Sequence, residues 1–229
     1  MITNYSSEDK VLLAVDCIIF GFDEEDLKIL LIRRGFEPEK GKWSLVGGFL
    51  KAEETLDDAA RRVLERYTGL SDVYMEQLAA FSEVDRDPAD RTISMAYYAL
   101  INIKEHKEKL IKQFSANWFS VSQAPSLIFN HDKMVHFAIR RLRTRATTRP
   151  IGFELLPEKF TMRQLQKLYE AIWDTTLDKR NFINKIRSLD IVVKLDEKDK
   201  KSSRKGSFLY QFDPSKYDKK AAEGFMLKL

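Results

Sequence analysis

A glycine turn feeding a helix, over 48–70, constrains this chain more than any other stretch. Thr55 suits an N-cap, and Asp57 and Asp58 fall in the first turn, where the helix dipole favours negative charge. Leu56, Ala59, Ala60, Val63, Leu64 and Tyr67 recur at helical spacing and make one apolar face. Gly69 sits where a left-handed stop belongs. A one-sided helix of this kind needs a sheet or a second helix to cover its stripe.

The flanking segments supply the sheet. An apolar run over 11–20, broken only by Asp16, reads as a buried strand. The polar turn over 23–26 returns the chain as a second strand over 27–32. Further strands are predicted over 74–81, 93–103 and from Asn117, with a charged loop over 82–91 between the first two. Met134, Val135, Ala138, Ile139 and Leu142 predict a last helix over 131–145. Mixed strands with two helices packed on them make an α+β sandwich.

At 229 residues, two domains are the natural expectation, and 44% apolar content is enough for proper cores. Cys17 is the single cysteine, which excludes a disulfide framework and a zinc cluster by count. Its place in an apolar run fits a small buried hydrophobe. The absence of a basic-then-apolar leader and of a bilayer-length apolar run points to a cytoplasmic protein with no membrane partner. His106, His131 and His136 lack metal-ligand spacing, and capping or surface roles are expected for them.

The second half reads differently. Arg140, Arg141, Arg143, Arg145 and Arg149 crowd one short stretch, as in a linker that tracks phosphates. Thr161 and Gln164 carry a capping-box signature before a helix, and a polar turn leads to a second helix over 177–189. Phe182, Ile183, Ile186 and Leu189 can face its core. Lys179, Arg180, Asn181, Asn184, Lys185 and Arg187 are left outward, where they could read base edges and phosphates. A strand over 191–195, a hydrophilic loop with Lys200, Lys201, Arg204 and Lys205, and a strand over 207–212 complete a wing with a basic tip.

The spacing over 48–70 resembles the Nudix box, a pattern of glycine and acidic residues ending in Arg-Glu-apolar-any-Glu-Glu-any-Gly-apolar. Gly48, Glu54, Arg62, Leu64, Gly69 and Leu70 fall on it, while Val63, Arg66 and Tyr67 occupy the remaining glutamate positions. The string from Val15 to Phe22, the run Val84-Asp85-Arg86-Asp87-Pro88, the strand Ile93 to Leu100 and the pair His131-Asp132 are similar to the Nudix-related transcriptional regulators. That resemblance implies a Nudix-like α/β/α sandwich over 1–149 as effector-binding domain and a winged helix-turn-helix over 150–229 as DNA-binding domain. Docking of paired reading helices on two half-sites then predicts a homodimer on an imperfectly palindromic operator, acting as a sequence-specific repressor.

Hydrolases of the Nudix family hold divalent cations through the missing glutamates. No metal, cofactor or catalytic residue is therefore expected, and the chain reads as a non-enzyme. A neutral sugar needs no metal, so a pentose such as L-arabinose is the expected effector, as in the sugar-responsive members. Asp16, Lys42, Trp43, Glu83, Asp85 and Arg86 are the expected effector-binding residues. An ADP-ribose-sensing regulator of NAD metabolism and an active pyrophosphohydrolase are the alternatives.

Overall fold

The computed structural model describes residues 8–103, 116–148, 151–200 and 206–222. Strands β1 (Leu12–Phe22), β2 (Leu27–Arg33), β3 (Trp43–Ser44), β4 (Val46–Phe49), β5 (Tyr74–Phe81), β6 (Thr92–Asn102) and β7 (Asn117–Ser120) form one sheet. Its main path is β3-β2-β1-β6-β5, with β4 added on β1 and β7 on β2. β1 runs parallel to β6 and antiparallel to β2 and β4. With neighbours on both edges and cores on both faces, β1 reads as a continuous apolar run for the reason expected of a doubly covered strand.

Side-chain alternation along β1 divides the core. Val15, Cys17 and Ile19 face helix α1 (Leu56–Thr68), where they meet Ala59, Ala60, Val63 and Leu64. Ile18, Phe20 and Phe22 face helix α2 (His131–Thr148) and its Met134, Val135, Ala138 and Leu142. α1 starts at the Thr55 capping box, which Asp58 completes, and stops at Gly69 in the left-handed region, φ 70°. Cys17 is buried beside the Ala60 carbonyl, 3.8 Å from its Sγ, and burial pushes the thiol pKa up. The cysteine is inert filling, as its surroundings in the sequence predict.

The second unit comprises β8 (Lys159–Thr161), α3 (Met162–Trp173), α4 (Lys179–Leu189), β9 (Val192–Asp199), β10 (Ser207–Phe212) and α5 (Pro214–Ala222). β8, β10 and β9 make a small antiparallel sheet beside the two helices. The capping box at Thr161 and Gln164 forms as expected. α4 begins two residues later than predicted because Asp178 takes the N-cap, its carboxylate accepting from the Asn181 backbone at 2.8 Å. β9 runs on to Asp199, beyond the predicted stop at Leu195. The core of this unit is continuous with the α2 side of the sandwich, since Leu142, Ala146, Ile151, Leu168, Tyr169 and Phe182 share one buried cluster.

Candidate functional site

A cavity of about 770 Å³ opens between β1, β4, α1 and the loops carrying Arg34, Arg86 and Phe129. That volume suits a ligand of nucleotide size. Asp16 lies at its floor, on the face of β1 that turns toward α2. Gly47 stands opposite on β4, and a side chain there would collide with the Asp16 carboxylate.

Asp16 is 7% exposed, and three side chains gather on its Oδ2. Ser94 Oγ donates to its Oδ2 at 2.5 Å, and Arg86 Nη2 and His131 Nε2 each lie 3.5 Å from the same oxygen. The Leu45 backbone N–H donates to His131 Nδ1 at 3.2 Å, so the ring proton belongs on Nε2, facing Asp16. Burial raises the Asp16 carboxyl, but His131, Ser94 and Arg86 outweigh it and hold the pKa down to about 2. His131 is thus a buried member of the site, correcting the expected surface role.

The walls are cationic. Arg33, Arg34, Lys51, Arg62, Arg66 and Arg86 line the cavity against the carboxylates of Asp16 and Asp87. The Arg34 guanidinium sits 4.0 Å from the Phe36 ring and 4.8 Å from the Phe129 ring, and its Nε donates to the Pro38 carbonyl at 2.6 Å. Phe36 remains 59% exposed at the mouth, an aromatic face open to a planar ligand.

The box positions do not fit a divalent cation. Glu54 is held by Arg62, whose Nε donates to Oε2 at 2.8 Å, and this partner takes its carboxyl down to about 2. Val63 is 1% exposed and packs against β1, where a side chain of its size contributes about 2 kcal/mol of burial. Arg66 and Tyr67 line the cavity, with the guanidinium 5.7 Å from the ring. Among the described residues no group of three or more His, Cys, Asp or Glu side chains is placed to hold a metal. Hard cations need such an oxygen cluster.

Of the six residues expected to bind an effector, the structure brings Asp16 and Arg86 to the cavity. Trp43 packs edge-on against Phe119 at 4.8 Å and under the Arg33 guanidinium at 3.9 Å, which makes it a wall support. Lys42 is exposed and paired with Glu39. Glu83 is exposed, with Lys133 3.4 Å away, and Asp85 is exposed outside the lining. Residues that the sequence reading missed include Arg33, Arg34, Phe36, Lys51, Phe129 and His131, which converge only after the sheet brings distant stretches together.

The second candidate surface lies on α4. Phe182 and Ile186 face the core, and Lys179, Arg180, Asn181, Asn184 and Arg187 are exposed, with Lys185 half-buried. Among the described residues no acid pairs with Lys179, Arg180, Lys185 or Arg187. In the wing, Lys194 Nζ and Lys198 Nζ lie 3.6 and 4.6 Å from the Phe208 ring, and Lys200 is exposed at the end of β9. Lys201, Arg204 and Lys205, expected at the wing tip, lie outside the described residues.

Three arginines of α2, Arg141, Arg143 and Arg145, depart from the expected phosphate-tracking role. Arg145 Nη2 donates to Glu76 Oε1 at 2.8 Å, with Arg141 3.5 Å from the same oxygen. Arg143 Nε donates to the Ile172 carbonyl at 2.8 Å. Arg140 lies 5.5 Å from the Phe137 ring, and Arg149 lies outside the described residues. Arg141, Arg143 and Arg145 fasten α2 to its neighbours.

A cavity-bearing sandwich joined through one helix to a winged helix with a basic outward face defines a DNA-binding regulator with a sensor domain. The NUDIX domain profile matches residues 10–138, and the NrtR DNA-binding winged helix domain profile matches residues 152–212. The chain belongs to the NrtR family, DNA-binding transcriptional repressors in which a Nudix sensor domain precedes the winged helix. It is 34% identical over 213 residues to the ADPR responsive transcriptional repressor NtrR of Acinetobacter baylyi, covering 90% of this chain and 84% of that one.

Among solved structures, Shewanella oneidensis NrtR in complex with a 27mer DNA has a TM-score of 0.80 at 26% identity, over 90% of this chain and 95% of that one. The NUDIX domain of the same protein with ADP ribose has a TM-score of 0.52 at 27% identity, over 61% of this chain and 93% of that one. These relatives are named for ADP-ribose, and no support for a pentose effector comes from them. Among the described residues no helix is long and apolar enough to cross a membrane.

Proposed function

We propose that this chain is an ADP-ribose-responsive transcriptional repressor. The observation that carries the reading is the cationic wall of the cavity. Loss of the box glutamates had suggested a neutral ligand, because a diphosphate would have no metal to hold it. Arg66 replaces one of those acids with a cation, and Arg33, Arg34, Lys51 and Arg86 add to it. A diphosphate can then be held by guanidinium and ammonium groups directly. Phe36 offers its exposed ring to the adenine base. The names of the A. baylyi and S. oneidensis relatives support the same ligand.

Hydrolysis is not part of this proposal. The donor set around α1 suits an anion and gives magnesium no carboxylate cluster. The domain division at 149/150 and the DNA-reading set on α4 and the wing belong to the same reading. Two chains would pair so that their α4 helices meet half-sites roughly one helical turn apart, about 34–36 Å. ADP-ribose would favour an arrangement that no longer matches that spacing.

Calorimetry with ADP-ribose, L-arabinose and D-xylose tests the ligand, followed by a mobility shift on duplex from the region preceding the chain's own gene. Binding of ADP-ribose alone, with release of the shifted complex, is the expected result. Release by a pentose, or turnover of ADP-ribose in magnesium, would sink the proposal.

A further inference from the structure

Arg86 is a buried cation with incomplete bonding. It is 5% exposed, and its Nη2 reaches Asp16 Oδ2 and the Phe129 carbonyl at 3.5 Å each. Its Nε has no hydrogen-bond partner among the described residues. A buried guanidinium normally satisfies its fork of donors, so an orphaned N–H beside a cavity wants an acceptor.

The Phe129 carbonyl belongs to an unusual turn. Phe129 and Asn130 both lie in the left-handed region, φ 54° and 58°. Asn tolerates it, but a bulky aromatic there is an outlier that the surroundings must hold in place. The surroundings are the cavity: the Phe129 ring packs edge-on to His131 at 5.8 Å and beside Arg34 at 4.8 Å. The next residue begins α2, which extends for about 27 Å at 1.5 Å per residue. Toward its far end Arg143 Nε holds the Ile172 carbonyl at 2.8 Å, and Trp173 Nε1 donates to the Arg143 carbonyl at 3.3 Å. Both partners are on α3 of the winged helix.

We propose that Arg86 senses the effector, exchanging its long contacts with Asp16 and Phe129 for an anionic oxygen of the bound nucleotide and so resetting the turn that aims α2 at the winged helix. The inference rests on the nucleotide reading above and adds the route by which binding reaches DNA. An effector shifts two arrangements only through a difference in affinity for them. The orphaned Nε supplies that difference, since it gains a partner only when the anion arrives.

The test uses the full chain and two variants. Arg86→Lys keeps a charge beside Asp16 but loses the guanidinium fork. Arg143→Met leaves the cavity untouched and removes the side-chain link to the Ile172 carbonyl at the far end of the route, while the backbone carbonyl that accepts from Trp173 is kept. In the unsubstituted chain, saturating ADP-ribose is expected to weaken binding to the gene's own upstream duplex roughly tenfold or more. Arg86→Lys should bind ADP-ribose about tenfold less tightly and, once saturated, change its DNA affinity by less than about threefold. Arg143→Met should bind ADP-ribose within about threefold of the unsubstituted chain and show the same blunted response. A full response in either saturated variant overturns the proposal while the nucleotide reading stands. If calorimetry finds no ADP-ribose bound to the unsubstituted chain, the nucleotide reading fails and the Arg86 route falls with it.

Discussion

Gln164 holds Glu24 across the two units: its Nε2 donates to Glu24 Oε1 at 2.7 Å, while its own Oε1 accepts from the Thr161 backbone N–H at 2.7 Å. One amide therefore caps α3 and ties the winged helix to the β1–β2 turn. Gln164→Glu keeps the cap, because a carboxylate serves equally well in a capping box. It also sets two acids face to face. The expected result is a loss of about 1 kcal/mol in urea unfolding and faster amide exchange over 23–26, with Gln164→Ala costing more through the lost cap.

Glu76 on β5 gathers Arg145, Tyr74 and Tyr98, whose hydroxyls lie 2.9 and 3.0 Å from its Oε2. Burial raises its carboxyl, but these hydrogen bonds prevail and leave it below the usual range. Glu76→Ala should destabilise the chain by about 2–3 kcal/mol by leaving the arginine and two hydroxyls without an acceptor. A Tm unchanged within a degree or so would argue against this.

Asp16 carries a pH signature. Its folded pKa, about 2, lies below the unfolded carboxylate value of about 3.9. The stabilisation is therefore present above about pH 4 and is lost as pH falls toward 2. Asp16→Asn should flatten the fall in stability across that window relative to the unsubstituted chain, as read from urea midpoints at stepped pH.

On the DNA face, Arg180→Ala and Asn184→Ala should each weaken binding to the upstream duplex by about 1–3 kcal/mol and relax its sequence preference. Lys200→Ala should weaken all duplexes alike and reduce the salt slope by about 1, as loss of a phosphate contact does. Anisotropy titrations over a salt series separate the two classes, and unchanged binding in all three variants would displace the reading face from α4.

In the cavity, Arg66→Glu should lower ADP-ribose affinity by at least about tenfold, through repulsion of the diphosphate where attraction stood. Phe36→Ala should cost about 1–3 kcal/mol of binding, the range of a lost base stack, with little change in Tm because the ring is exposed. Calorimetry on the two variants checks both.

Much of the architecture was legible because its signals are local. The caps at Thr55 and Thr161, the left-handed Gly69 and the period of α1 need only neighbours in sequence. The cavity is different, since Arg34, Arg86 and the turn from Phe129 to His131 come from three separate stretches of sequence that meet only through the strand order. Asp16 illustrates the gap well. Its oddity in an apolar strand was visible, but its partners were not: parallel pairing with β6 brings Ser94 beside it, the loop over 82–91 brings Arg86, and the start of α2 brings His131. The expectation of a neutral effector has a related origin. Reading box positions one at a time shows carboxylates lost, but only the assembled wall shows cations gained.

The closeness of Lys194 and Lys198 to the Phe208 ring has a further bearing on DNA recognition. A free lysine on a wing gives up side-chain entropy worth about 1.5–2 kcal/mol when it is frozen onto a phosphate. Two ammonium groups already seated on an aromatic face have surrendered part of that freedom before any duplex arrives. The wing would then meet its target as a stiff surface rather than a loose fringe, and its share of the affinity should depend less on temperature than that of untethered lysines.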